Sequence, residues 1–389
     1  MSQGRLRLSG EGGVGLRGRV VRMRAGMECL LELLRGQGGE RAREDAEWEA
    51  ALALAEEERV LPWASACLRA QAGSLRPAMA RRLEQIDRDA AIVAFYWNSQ
   101  LKSVLRAFAE SDLVTVPLKG PFLAERLYTS AALRVSRDLD LLVSREDVPR
   151  AEAVLAGLGF RPGEADDYHR PWYRQNAMIE LHYDVENPLA FDFDVAGALR
   201  RAETAEFQGE PCRRLAAEDE LLFLCLHGVR HRFERLSLVL DLQLGFERLP
   251  AMANGWQPRA EVAGLNDLVV LGLGMARRLR PELRVEFDCA VSKREAEHLN
   301  ALADRLWHRL ITQASEPLDW SALHAFYVEM ELPGWRRLRR RWRHLQILAN
   351  RVIEPDYIFA AKFGLRRAWQ ARALRPLRLL SETMRIDRK

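Results

Sequence analysis

Long apolar runs are missing from this chain: nowhere in its 389 residues do about 18 uninterrupted apolar residues occur, so no segment reads as a membrane-spanning helix. Cysteine is scarce. The five cysteines, Cys29, Cys67, Cys212, Cys225 and Cys289, form neither a CxxC pair nor the Cys/His spacing of a zinc site. They are expected to be reduced thiols of a cytoplasmic protein. Lysine occurs only at Lys102, Lys119, Lys293, Lys362 and Lys389, so almost all positive charge is arginine. The glycine-rich "GEGGVG" near the N-terminus carries no GK[ST] and follows no strand pattern, which argues against a phosphate loop there. No internal repeat is present, and beyond the N-terminus no low-complexity block.

What is there is the composition of a soluble globular protein, 48% hydrophobic and 29% charged, long enough for two or three domains. The net charge of +4 conceals an asymmetry. Residues 335–389 carry 16 Arg/Lys against 4 Asp/Glu and residues 1–44 carry 9 against 5, which leaves the remainder at −12. Residues 1–26, rich in Gly and Arg and without hydrophobic period, read as a disordered segment. Residues 27–112 repeat apolar side chains every three or four positions and read as helices, with Pro62 at a helix start. From 113 to 195 short β-branched runs alternate with helical ones, and a junction near Gln175 and Asn176 suits a hairpin. Residues 196–334 return to helical periodicity, and 335–389 form a basic helical tail. The whole reads as a small α/β unit between two helical regions.

The stretch "LRVSRDLDLLV", 133–143, places Asp138 and Asp140 two apart in an apolar run. As a strand it sends Leu139, Leu141 and Val143 to one face and both carboxylates to the other. Two adjacent carboxylates repel unless a cation bridges them, and a hard divalent ion such as magnesium suits oxygen donors. On "AMIELHYDV" the same alternation puts Glu180, His182 and Asp184 on one face, so Glu180 is the third candidate ligand. His182 is expected to support Glu180 rather than bind metal, because magnesium sites favour oxygen. His227 and His231, four apart on a helix, read as core or polar-face residues with Asp241 as a partner.

The order of strand, glycine turn, helix, D-x-D strand and later acidic strand resembles the uncharacterised nucleotidyltransferase family, also called nucleotidyltransferase family 5, of the polymerase-beta-type superfamily. "LKGPFLAERLYTSAALRVSRDLDLLV", "IELHY" and "LCLHGVRHRF" carry the resemblance, over roughly residues 28–250. It implies an α+β fold: a polymerase-beta-like core of small mixed sheet and helices, flanked by helical regions. It implies a magnesium-dependent enzyme moving a nucleoside monophosphate from an NTP such as ATP to an acceptor, whether peptide, small molecule or RNA. Asp138, Asp140 and Glu180 would hold two metal ions, Glu180 also taking up the acceptor proton. Gly120 would let the backbone approach phosphate, with Lys119 and Arg134 as phosphate contacts. Lys119-Gly120-Pro121 stands where related enzymes have a serine after the glycine turn, which keeps open a catalytically degenerate nucleotide-binding or regulatory module.

In the tail, Trp335, Leu338, Trp342, Leu345 and Leu348 form one helical stripe. An apolar stripe needs a protein surface, so packing against the acidic body is expected ahead of RNA contact, which clustered arginines would also support.

Overall fold

The structure is a computed structural model. It describes residues 16–312, apart from 39–42, 72–74, 167, 186–190, 192, 250–264 and 286–290, together with 326, 327 and 330. The basic tail, with its tryptophan stripe, and Cys289 lie outside the described residues.

Four helices open the fold: α1 (Leu16–Leu34), α2 (Asp45–Glu57), α3 (Leu61–Gln71) and α4 (Pro77–Glu110). Helix α1 starts inside the segment expected to be disordered; its Arg, Leu and Met are good helix formers that a search for amphipathic period overlooks. Pro62 and Pro77 sit in the first turns of α3 and α4, where a missing N–H costs nothing. Strand β1 (Val116–Pro117) then leads into helix α5 (Gly120–Leu127), so Gly120 begins the helix. Strand β2 (Leu139–Leu142), helix α6 (Val148–Gly157), strand β3 (Arg161–Pro162) and the hairpin β4 (His169–Arg174) and β5 (Ala177–His182) follow. Gln175 turns that hairpin at φ 51°, as the Gln-Asn junction suggests.

The five strands form one mixed sheet in the order β1-β2-β5-β4-β3, with β2 and β5 parallel and the other pairs antiparallel. One face of the central strands, Leu139, Leu141, Val143, Ile179 and Leu181, is buried against Trp97, Leu101, Val104, Leu105 and Phe108 of α4. Each such side chain stabilises by about 1.5–3 kcal/mol relative to exposure, which fixes the register and turns the opposite face outward.

After Asp194 the sequence reads as helical throughout, and this is incorrect in one place. Following α7 (Val195–Arg201), β6 (Glu203–Phe207) and β7 (Glu210–Arg214) form a separate antiparallel hairpin. Gln208 and Gly209 both have positive φ, so the "QG" dipeptide was its one local signal. Helices α8 (Ala217–Arg230), α9 (Leu236–Arg248), α10 (Asn266–Leu279) and α11 (Lys293–Thr312) complete the described chain. A second apolar core joins α1–α3 to α8–α11, so helices from both sides of the sheet region share one interior. The small mixed sheet with flanking helices is the α+β arrangement expected. No helix among the described residues is long and apolar enough to cross a membrane.

Candidate active site

The parallel pairing of β2 with β5 sets Asp140 directly beside Glu180 on the face away from the apolar cluster. Asp138 lies just ahead of β2 and is partly buried. Asp140, Glu180 and His182 bring one ligand atom each within 4.8 Å of one another. Asp138 stands apart from that group, yet it lines the same cavity as Glu180 and Lys119, about 170 Å³ in volume.

Asp140 is the centre of the charge arrangement. Its Oδ1 receives Lys119 Nζ at 2.8 Å and His182 Nε2 at 3.2 Å, while the same His182 nitrogen lies 3.3 Å from Glu180 Oε2. His182 Nδ1 is 3.1 Å from the Asp184 carbonyl, which can only accept, so Nδ1 carries hydrogen. Nε2 must also carry one to meet two carboxylates, which makes the ring an imidazolium. Burial opposes that charge, but hydrogen bonds from Asp140 and Glu180 raise the His182 pKa above its ordinary value. Burial would likewise raise Asp140; Lys119 and then His182 overcome it and hold the carboxyl well below the usual range. Glu180 is held down against burial by the His182 hydrogen bond. Asp138 moves the other way, raised by burial and by the neighbouring Asp140 charge.

Asp140 Oδ2 is buried without a hydrogen-bond partner. A buried carboxylate oxygen left unmatched beside Glu180 suits a divalent cation.

The residues expected at the phosphates are arranged differently from one another. Lys119 reaches the carboxylate pair and lines the cavity. Gly120 is buried at φ 64°, a left-handed conformation that favours glycine, while a Cβ there would meet the Asp138 carbonyl only at an ordinary 3.4 Å. Arg134 lines the cavity, but its guanidinium is met by Asp241, Nε to Oδ1 at 2.9 Å and Nη2 to Oδ2 at 2.8 Å. Tyr128 donates to the same carboxylate at 2.7 Å. Asp241 is therefore the partner of Arg134 and Tyr128, not of His227 and His231 as expected, because α9 aims it at the turn before β2. The two histidine rings instead pack edge to face at 4.7 Å. Burial, then Lys119, drives His227 well below its ordinary pKa, and burial with Arg230 takes His231 down to about 3, so both are neutral.

Sequence reading missed Arg59, Arg230, Glu234 and Arg235, which also line the cavity. Arg230 closes α8 inside the quoted "LCLHGVRHRF", with no sign of its role there; the others, which no motif marks, arrive from the α2–α3 junction and the α8–α9 loop.

Carboxylates from two parallel strands thus stand beside a cation-lined cavity. The family model for uncharacterised nucleotidyltransferases matches residues 44–281. This chain belongs to that family. No curated protein matches it. Among solved structures, the solution structure of antibiotic-resistance factor ANT(2″)-Ia is 18% identical, covering 43% of this chain and 94% of its own, at a TM-score of 0.33. ANT(2″)-Ia in complex with adenylyl-2″-tobramycin is 15% identical over 46% of this chain and 97% of its own, TM-score 0.32. A nucleotidyltransferase-like protein from Paracoccidioides brasiliensis is 13% identical over 50% and 94%, TM-score 0.33. Overlaps this loose define no residue-level correspondence.

Proposed function

We propose that this cavity transfers a nucleoside monophosphate from an NTP to an acceptor hydroxyl or phosphate with release of pyrophosphate, and that Asp138, Asp140 and Glu180 hold the magnesium it uses. One observation carries the reading: Asp140 and Glu180 lie side by side across parallel strands, with Asp140 Oδ2 buried and unmatched. Bound magnesium would neutralise phosphate charge and polarise the reacting phosphoryl group. Glu180, whose carboxyl stays ionised, can accept the acceptor proton. Lys119 meets Asp140 while no metal is bound and stands ready to turn to a phosphate oxygen. The cations around the cavity attract the nucleotide, and the apolar underside of the sheet holds the carboxylates in place. Peptides, small molecules and RNA remain the acceptor classes.

The test is incubation of the protein with magnesium, each labelled NTP, and separate RNA, protein and metabolite fractions. Label should enter one fraction with stoichiometric pyrophosphate. A second reading, a degenerate nucleotide-binding module, is favoured by Lys119-Gly120-Pro121 and by the ion pair that places Lys119 on a metal ligand. NTP binding without label transfer or pyrophosphate release in any fraction would establish it in place of the first.

A further inference from the structure

Two of the cations expected at the phosphates, Lys119 and Arg134, already face carboxylates, Asp140 and Asp241. Arg134 stays bound to Asp241 and Lys119 is released only when a cation takes Asp140, so a triphosphate entering this cavity needs positive groups beyond these two. Three arginines from distant parts of the chain converge there: Arg59, Arg137 and Arg235 all line the cavity. Among the described residues Arg59 and Arg137 have no ion-pair partner. Arg235 donates Nη1 to the Glu57 carbonyl at 2.7 Å, but its Nε is buried and unmatched. Burial and then the like charges of Arg137 and Arg235 weaken the hold of Arg59 on its proton, against the opposite pull of Asp138 and Glu234.

The backbone brings two of these arginines together at a local cost. Helix α2 ends with Val60 N–H on the Ala55 carbonyl at 2.8 Å and Arg59 N–H on the Glu56 carbonyl at 3.1 Å, which is a Schellman cap. Arg59 occupies its left-handed position at φ 59°, where glycine is the unstrained choice. The buried Glu58 carboxylate then accepts the Leu236 N–H at 2.8 Å, and its carbonyl accepts the Ser237 N–H at 3.2 Å. The end of α2 is thus stitched to the start of α9, which sets Arg59 near Arg235. Strain at one arginine, three guanidiniums converging on one cavity, and an unmatched buried N–H all find one explanation in an anion.

We propose that Arg59, Arg137 and Arg235 form a clamp for the two distal phosphates of the nucleotide and hold them as the leaving pyrophosphate. This rests on the nucleotidyl-transfer reading above. In that step the acceptor oxygen bonds the α-phosphorus and its proton passes to Glu180. The bond from the α-phosphorus to the bridging oxygen breaks, and its electron pair departs on pyrophosphate, where the guanidiniums meet the developing charge.

Calorimetric titration of the protein with inorganic pyrophosphate, and separately with ATP, both with magnesium, tests the clamp. Arg59→Gly suits the left-handed backbone, so its melting temperature should equal or exceed that of wild type. Its affinity for both ligands should fall about 10- to 100-fold, the worth of a charged hydrogen bond. Arg137→Ala, at an exposed side chain, should show the same loss. Wild-type binding with equal affinity in both variants would overturn the clamp and leave nucleotidyl transfer standing. Wild type that binds neither pyrophosphate nor ATP would instead overturn the transfer reading on which the clamp rests.

Discussion

Replacing Lys119 with methionine should destabilise the metal-free protein and strengthen its response to magnesium. Methionine keeps most of the apolar stem and removes the charge. The Lys119 and Asp140 side chains are 12% and 0% exposed, so the pair is buried. Removing one partner of such a pair costs about 3–5 kcal/mol. His182 still meets the same Asp140 oxygen at 3.2 Å, which places the loss near the lower end, about 3 kcal/mol. In a chain of 389 residues that is a fall of roughly 4 °C in melting temperature. Magnesium supplies the missing positive charge in the variant, whereas in wild type it must displace Lys119 from Asp140. Thermal melts across a magnesium titration should therefore show a larger gain for Lys119→Met, with stabilisation of about 2.7 kcal/mol at a hundredfold excess over Kd. A variant that melts like wild type without metal, or gains less from magnesium, would refute the assignment of Lys119 as the occupant of the metal position.

Glu180→Gln should reduce pyrophosphate release about 100-fold or more while leaving the melting temperature within a few degrees, since that carboxylate is 20% exposed at the cavity wall; full activity would remove it from the site. Asp241→Ala leaves the buried Arg134 guanidinium and the Tyr128 hydroxyl unmatched and should cost about 3–5 kcal/mol. In denaturant unfolding, a loss below about 1 kcal/mol would show that the triad is not structural. Asp140→Asn should abolish transfer and also lower stability, because Lys119 and His182 lose their shared anion; an unaltered melt would contradict this coupling. The folded, metal-free His182 pKa lies above its unfolded value of about 6.5. Its stabilising contribution is thus complete below that pH and disappears as pH rises through the raised pKa. Because magnesium at Asp140 and Glu180 opposes an adjacent imidazolium, metal affinity should climb over the same window. Affinity that stays flat with pH would exclude His182 from the metal position.

The D-x-D strand was legible because a strand repeats every two residues. Once Leu139 and Leu141 must be buried, Asp140 has one direction left to face, and the same rule applies to Glu180 on "AMIELHYDV". The helices were legible from their longer period, and the Gln-Asn hairpin from its turn. The β6–β7 hairpin escaped because its side chains do not alternate cleanly between polar and apolar, leaving only Gln208-Gly209 as a sign.

The sequence by itself determined the chemical character of the region: two carboxylates, Asp140 and Glu180, on strand faces whose other side is apolar, Asp138 just ahead of the first strand, a glycine at the start of a helix, and an arginine-rich cation supply. Tertiary structure alone decided the pairings. Parallel registration of β2 with β5 put Asp140 beside Glu180, and helix α9 delivered Asp241 to Arg134 across more than a hundred positions of chain. Union of the α2 cap with the start of α9 brought Arg59 to Arg235. Local periodicity records which face a residue occupies, whereas a partner across the chain is chosen by how whole elements pack, and no short window of sequence carries that information.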